Sequence, residues 1–171
     1  VGALGLVHTK EQLFTTNQNI EFTALVLFLL ILFIPVIILF GLLIKIEDGG
    51  PVFYSQKRSG LNGKIFNVYK LRSMKINSEK NGAVWANKND IRITKIGKII
   101  RKLRIDELPQ LFNILINDMS FVGPRPLLVE YLKKYSNYEK KRHLVKPGIT
   151  GLAQVNPEPS GLKSWNKSIR F

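Results

Sequence analysis

Residues 22–44 read FTALVLFLLILFIPVIILFGLLI, a run of 23 positions without a single charged side chain. At about 1.5 Å per residue, a helix of this length reaches about 35 Å, more than the roughly 30 Å of a bilayer's hydrocarbon core. A secretory signal has a shorter apolar region behind a basic flank. A small domain rarely covers so long an apolar helix. The run therefore predicts a membrane-inserted segment over residues 22–46.

Pro35 divides this run. A proline inside a helix removes one backbone hydrogen bond and crowds the carbonyl four residues earlier. In lipid, the freed carbonyl needs another partner. The segment is therefore expected to break at Pro35, either as a kinked span or as a helix–break–helix that enters and leaves on one face. Composition leaves both geometries open.

Almost all of the chain's net charge follows this segment. The 171 residues carry 26 Lys and Arg against 12 Asp and Glu, while residues 1–21 hold only Lys10, Glu11 and Glu21, a net of −1. The remainder therefore carries +15. Basic residues beside a membrane segment favour the cytoplasmic side, and they are more numerous after the segment than before it. We predict an N-terminal flank over 1–21 and a cytoplasmic domain over 47–171.

Turn signals and apolar spacing predict an α+β domain, mostly helical, after the membrane segment. Residues 52–54 and 65–69 flank a turn that contains Gly and Asn, which is typical of a short β-hairpin. Apolar residues then recur at helical spacing over 96–103 and 108–115, with Asp106 as the expected N-cap of the second helix. The remaining expected elements are a polar loop over 77–90 and a helix over 127–138.

A basic run leads directly into two adjacent carboxylates. Residues 95–104 hold five basic side chains and no acidic one, and Asp106 and Glu107 follow. One interpretation is a solvated helix face followed by an acidic helix start that complements the helix dipole. The other is a phosphate site, where basic side chains hold phosphate oxygens and a carboxylate binds a divalent cation or attacks phosphorus. The pattern alone leaves both open.

Arg125 lies between Pro124 and Pro126. Because proline fixes φ, this turn is preorganised, and an arginine there can present its planar fork to phosphate or cap a neighbouring helix. His8 and His143 are interpreted as solvent-facing. The lack of cysteine excludes a disulfide scaffold, a Cys-ligated zinc site and a thiol nucleophile. No Gly-x-Gly-x-x-Gly or Walker-type loop supports nucleotide binding by those folds.

Three strings in order resemble the bacterial sugar transferase family, the small monotopic phosphoglycosyl transferases that start polyprenyl-linked glycan assembly. They are DGGPVFYSQKRSGLNGKIFNVYKLRSMK (48–75), DIRITKIGKIIRKLRIDELPQLFNILINDMSFVGPRPLL (90–128) and RHLVKPGITGLAQVN (142–156). The DELPQL and FVGPRP strings together are highly specific. The resemblance implies transfer of a sugar-1-phosphate from a UDP-sugar to undecaprenyl phosphate with release of UMP. It places this reaction at the cytoplasmic face of the bacterial inner membrane, among membrane lipids.

The resemblance also implies roles for individual residues. Asp106 would be the nucleophile that forms a covalent phosphosugar intermediate. Glu107 would assist through a proton or through an essential Mg²⁺ bound by both carboxylates. The anchor would be re-entrant, with its break at Pro35. The implied phosphate-binding residues are Lys70, Arg72, Arg101 and Arg125.

The chain departs from the family pattern at three places. Residues 18–22 read QNIEF where the family tends to begin the membrane helix with a basic pair and Phe-Asp. Ile34 precedes Pro35 where the family usually has serine, and the chain ends at Phe171, before a further Asp/aromatic stretch of the family. The catalytic domain over 47–171 is therefore expected to be truncated at its C-terminus. The alternatives to an enzyme are an inactive truncated relative and a non-catalytic membrane protein that binds anionic lipid. Nucleic acid is not an expected partner, because stacking aromatics do not interleave with the basic residues.

Overall fold

The N-terminal part of the chain forms one long helix, α1 (Gly2–Asp48), in the computed structural model. The structure describes residues 2–78 and 90–151, with α1 side chains from Ile20 onward. The portion from Ile20 to Asp48 is long and apolar enough to cross a membrane. Apolar side chains occur on every face of this portion, so its sequence does not indicate which face packs against the rest of the protein.

The predicted break of the helix at Pro35 is wrong, whereas the re-entrant topology of the anchor stays a prediction. α1 continues through the proline without interruption. An internal proline costs roughly 3 kcal/mol. Packing on both sides offsets that cost, because Phe33 and Ile37 contact two separate apolar clusters of the domain.

These two clusters make α1 part of the domain. Val26 is fully buried with Phe66, Val68 and Leu111 in the first cluster, and Ile44 is buried with residues of the second. The second cluster comprises Ile44, Leu71 and Ile100, with Ile37, Phe40, Val52, Ile96 and Ile105 packed against it. A straight crossing by this portion would draw the packed elements into hydrocarbon, so the packing disfavours a simple span.

The predicted β-hairpin is confirmed. β1 (Phe53–Ser59) pairs antiparallel with β2 (Ile65–Leu71). Asn62 and Gly63 in the connecting turn have φ values of 52° and 73°, which Asn and Gly adopt at low cost. The register sets Tyr54 opposite Lys70, which places both side chains on one face of the hairpin.

The first predicted helix is confirmed as α2 (Lys95–Lys102). The Thr94 side chain accepts a hydrogen bond from the Gly97 amide at 2.9 Å. The Glu47 carboxylate, near the end of α1, accepts from the Lys95 and Ile96 amides at 2.6 and 3.2 Å. These bonds satisfy the free amides of the helix start and fix α2 against the end of α1.

The second predicted helix begins later than expected. Asp106 is not its N-cap, because Arg104 adopts a left-handed conformation (φ 60°) and a 3₁₀ turn (Ile105–Glu107) follows. α3 (Gln110–Leu115) begins only after Pro109. The helix predicted over 127–138 is instead a 3₁₀ segment (Val129–Lys134), since Leu128 is extended and forms a β-bridge with Arg58.

A parallel strand pair, not predicted from the sequence, closes the domain. β3 (Ser120–Val122) pairs with β4 (Gly148–Thr150). Each strand has only three residues, too few for an alternating pattern to be visible. The mixed helix and strand fold class is confirmed. Positions 79–89 of the predicted loop, and everything after 151, lie outside the described residues.

We predict that Gly97→Ala will destabilise the protein by about 2–3 kcal/mol. A Cβ at position 97 would lie 2.0 Å from the backbone oxygen of Ser73, an overlap that outweighs alanine's helix preference of about 1 kcal/mol. Urea unfolding would measure the change. Lys98→Ala, on the exposed side of α2, is the matched control. Equal stability of the two variants would contradict the close packing at Gly97.

Candidate active site

A cavity of about 860 Å³ lies between the hairpin, the end of α2, the 3₁₀ turn and the Pro-Arg-Pro turn. This volume suits a small organic ligand. Two acidic and seven basic residues line the cavity, so it favours anions. The charged lining residues are Arg58, Lys70, Arg72, Lys75, Arg101, Arg104, Asp106, Glu107 and Arg125.

Glu107 is the centre of the ion pairs in this cavity. Its Oε1 lies 2.8 Å from Lys70 Nζ, 3.0 Å from Arg125 Nη2 and 3.9 Å from Arg104 Nη1. Burial alone would raise the pKa of Glu107, but the charges of Lys70 and Arg125 outweigh it, and the pKa is lowered. Glu107 is therefore a stable anion that holds Lys70 and Arg125 in place. These charged residues, with Asp106, are called the charged floor of the cavity below.

Asp106 has a different environment. Only 7% of the residue is exposed, and its Oδ1 has no hydrogen-bond partner in the described part of the chain. Burial raises the pKa of Asp106, although the charge of Lys70 acts against the shift. A desolvated carboxylate whose charge is little shared is more basic and more nucleophilic than Glu107.

Lys70 reaches the carboxylates from β2. Burial lowers its pKa even though Glu107 lies beside it. The neighbouring helix is fixed to this strand by Asn113, which is fully buried. Asn113 accepts from the Tyr69 amide at 3.1 Å and donates to the Asn67 carbonyl at 2.7 Å. These bonds hold α3, and the 3₁₀ turn before it, in register with Lys70.

The turn that carries Arg125 is held at every carbonyl from 124 to 127. Pro124 O accepts from the Gly148 amide at 3.1 Å. Arg125 O accepts from Arg142 Nη2 at 2.5 Å. The next two carbonyls accept from β1: Pro126 O from Arg58 at 3.4 Å, and Leu127 O from the amide and hydroxyl of Ser59 at 3.1 and 3.3 Å. Bonds from β1, Gly148 and Arg142 thus fix the backbone from which the Arg125 side chain projects.

The expectation that His143 faces solvent is wrong. His143 is 9% exposed and Arg142 is 3% exposed. His143 Nδ1 donates to Gly60 O at 2.9 Å, while its ring lies 5.4 Å from that of Tyr135. Burial lowers the pKa of His143, so the ring is neutral. The basic composition of residues 140–146 concealed this buried cluster.

The structure brings Asp106, Glu107, Lys70 and Arg125 together, and Arg101 lines the same cavity. Arg72 also lines it, but its guanidinium is engaged by Asp48 and by the carbonyls of Pro51 and Met74. Those bonds favour a structural role that ties the hairpin to the end of α1. The phosphate contact of Arg72 stays a prediction, as does that of Arg101.

Sequence reasoning missed three cavity cations, Arg58, Lys75 and Arg104. Tyr54, Gln56 and Arg58 occupy alternate positions of β1 and all line the cavity. This period of two was visible in the sequence as a strand face. The left-handed backbone of Arg104 had no such signal, since Gly or Asn is the usual residue there.

Comparison with known proteins identifies the family of this chain. The description "Bacterial sugar transferase" belongs to the family profile that matches residues 15–171. The chain is 47% identical over 137 residues to the uncharacterized sugar transferase EpsL of Bacillus subtilis, covering 80% of this chain and 66% of that protein. It is 49% identical over 127 residues to the UDP-N-acetylgalactosamine-undecaprenyl-phosphate N-acetylgalactosaminephosphotransferase of Aeromonas hydrophila, covering 72% and 30%.

A third relative is the UDP-glucose:undecaprenyl-phosphate glucose-1-phosphate transferase of Klebsiella pneumoniae, 42% identical over 149 residues, with 84% of this chain and 32% of that protein covered. The chain thus spans about two thirds or less of the length of these relatives. The profile match, however, includes nearly every residue, among them the paired carboxylates and the Pro-Arg-Pro turn. The chain belongs to the bacterial sugar transferase family.

Proposed function

We propose that this protein transfers a sugar-1-phosphate from a UDP-sugar to undecaprenyl phosphate and releases UMP. The observation that carries the proposal is the buried Oδ1 of Asp106, which has no hydrogen-bond partner among the described residues and lies in a cavity whose charged lining residues are mostly basic. Two relatives whose names state such transfers supply the substrate class. A non-catalytic lipid-binding protein would have no use for a desolvated carboxylate beside its phosphate site.

In the first step, an Asp106 oxygen attacks the phosphorus that carries the sugar, and the bond from that phosphorus to the UMP oxygen breaks. In the second, a phosphate oxygen of undecaprenyl phosphate attacks the aspartyl-bound phosphorus. The bond to Asp106 then breaks and the carboxylate is regenerated. Lys70 and Arg125, held by Glu107, offset the negative charge that otherwise opposes attack by one anion on another.

Mg²⁺ fits the donor set and belongs to the proposal. The described residues contain no cluster of three or more acidic or histidine side chains. However, magnesium in phosphate chemistry needs only one or two carboxylates together with substrate oxygens and water. Glu107 makes its ion pairs through Oε1, and Glu107 and Asp106 are the residues that would hold the ion. Bound there, it would neutralise charge on the diphosphate.

The membrane arrangement is also a proposal. The side of α1 that faces away from the domain exposes large apolar residues, among them Phe28, Ile31 and Leu42 at 61%, 69% and 58%. We place this side in lipid, with α1 along the cytoplasmic surface of the inner membrane. Basic residues would then lie near anionic headgroups, each worth about 1 kcal/mol.

Purified full-length protein in lipid, given a panel of UDP-sugars, should release UMP only with both Mg²⁺ and undecaprenyl phosphate present in multiple-turnover assays. The panel also identifies the sugar. Absence of UMP release with every sugar would refute the proposed reaction.

Topology can be read from single cysteines, because the chain has none of its own. Cysteines at Thr9 and Lys98 should both react from the cytoplasmic side with an impermeant maleimide. Periplasmic reaction at position 9 alone would instead show that α1 crosses the membrane.

A further inference from the structure

The cavity has an apolar side that no step of the proposed reaction has used. Four of its lining residues are Pro51, Phe53, Met74 and Ile76, hereafter the apolar lip. Phe53 is 55% exposed and Ile76 is 49% exposed. The carboxylates and cations line the same cavity, so one opening combines a charged floor with an exposed apolar edge.

The lip is a built feature formed by two segments that bond to each other. Pro51 and Phe53 follow α1, and Met74 and Ile76 follow β2. The Arg72 amide donates to Val52 O at 2.8 Å, and the Arg72 guanidinium donates to Pro51 O. A Cβ placed on Gly50 would come within 2.8 Å of the Ile76 side chain, which shows how closely the two segments pack.

The lip lies close to the end of α1, because Arg72 donates hydrogen bonds to both Asp48 and Pro51 O. The last turns of that helix expose Leu39, Leu42 and Ile46 at 55%, 58% and 79%. Asp48 ends α1 and is paired with Arg72, which lines the cavity. The end of α1, the lip and the charged side of the cavity therefore meet at Arg72.

Resting on the proposed function, we propose that the apolar lip binds the first isoprene units of the polyprenyl phosphate acceptor. The sugar and the diphosphate of a UDP-sugar are polar and gain little from the exposed aliphatic side chain of Ile76. An acceptor with a phosphate head and a hydrocarbon tail matches both parts of the cavity. Burying even a few methylenes gives a measurable preference.

The test compares Phe53→Gln and Ile76→Gln with Leu144→Gln, a control at a 71% exposed apolar residue outside the cavity lining. We expect the KM for undecaprenyl phosphate to rise about tenfold in the two lip variants, which corresponds to about 1.4 kcal/mol. The KM for the UDP-sugar should not change. Exchange of labelled UMP into the UDP-sugar, measured without acceptor, should also match the wild type.

The lip assignment is overturned if the acceptor KM of the lip variants moves no more than that of Leu144→Gln, or if acceptor-free exchange falls equally. A photoreactive short-chain prenyl phosphate, with the labelled residues mapped by mass spectrometry, reads the same site without turnover. Labelling at the lip supports the assignment even in a protein that transfers no sugar, and labelling elsewhere contradicts it. These measurements therefore distinguish an incorrect lip assignment from an incorrect proposed reaction.

Discussion

Asp106→Asn should lower kcat by at least about 10⁴-fold, the scale seen when a covalent nucleophile is removed. Asparagine keeps the shape of the side chain but cannot form the acyl phosphate. Intact-protein mass spectrometry after incubation with UDP-sugar, without acceptor, should show a phosphosugar adduct on the wild type and none on the variant. Glu107→Gln should lose less, about 10²–10³-fold, because it weakens the placement of two cations but leaves the nucleophile.

The matched control is Asp118→Asn, the same chemical change at a carboxylate that does not line the cavity. It should retain wild-type turnover. An Asp106→Asn protein that turns over normally, or that still carries the adduct, would assign the nucleophile to another residue. Adduct formation by Glu107→Gln but not by Asp106→Asn would distinguish the roles of these neighbours.

The loss of activity in Asp106→Asn should not come from unfolding. Because burial raises the pKa of Asp106 above its unfolded value, the folded state takes up this proton more readily than the unfolded state does. Stability then falls as the pH rises from the unfolded pKa through the raised folded pKa. The variant should therefore melt at a higher temperature than the wild type near pH 7. This difference should shrink as the pH falls toward about 4 and be absent below it, where Asp106 is protonated in both states.

The sequence predicted the elements with strong local signals. The hairpin and α2 were predictable because a Gly and Asn turn and helical apolar spacing act over short distances. The predicted break at Pro35 failed for a tertiary reason: Phe33 and Ile37 are packed on either side of it. No local rule weighs a lost hydrogen bond against contacts with residues 30 to 80 positions later.

The residue types of the candidate site were predictable from the sequence, but the different roles of the individual residues were not. The adjacent carboxylates and the Pro-Arg-Pro turn are plain in the sequence. That Glu107 collects the cations while Asp106 remains unpartnered depends on Arg104, whose left-handed backbone starts the 3₁₀ turn. Arg72 was expected to bind phosphate, but its ion pair crosses 24 positions to Asp48, which spacing alone does not reveal.

Arg142→Gln should lower kcat/KM for the UDP-sugar about 10–100-fold, although Arg142 is absent from the cavity lining. Its guanidinium is buried and donates to the carbonyl of Arg125. Loss of this bond removes the one that holds the Arg125 carbonyl itself, so the Arg125 guanidinium should spend less time beside Glu107 and the bound phosphate. Steady-state kinetics measure the effect, with Lys140→Gln, an exposed neighbour, as the control that should leave kinetics unchanged.

A double-mutant cycle separates this positioning role from a general loss of stability. Arg125→Ala alone should cost about 10²–10³-fold, since it removes a charge-assisted phosphate contact. If Arg142 acts through Arg125, the double variant should be no slower than Arg125→Ala, because there is then no side chain left to position. Arg142→Gln should also lower the free energy of unfolding, by about 2 kcal/mol for an unsatisfied buried carbonyl. A purely structural defect acts equally with or without the Arg125 side chain. If the rate losses of the two single variants multiply in the double variant, Arg142 therefore supports the fold but does not direct Arg125.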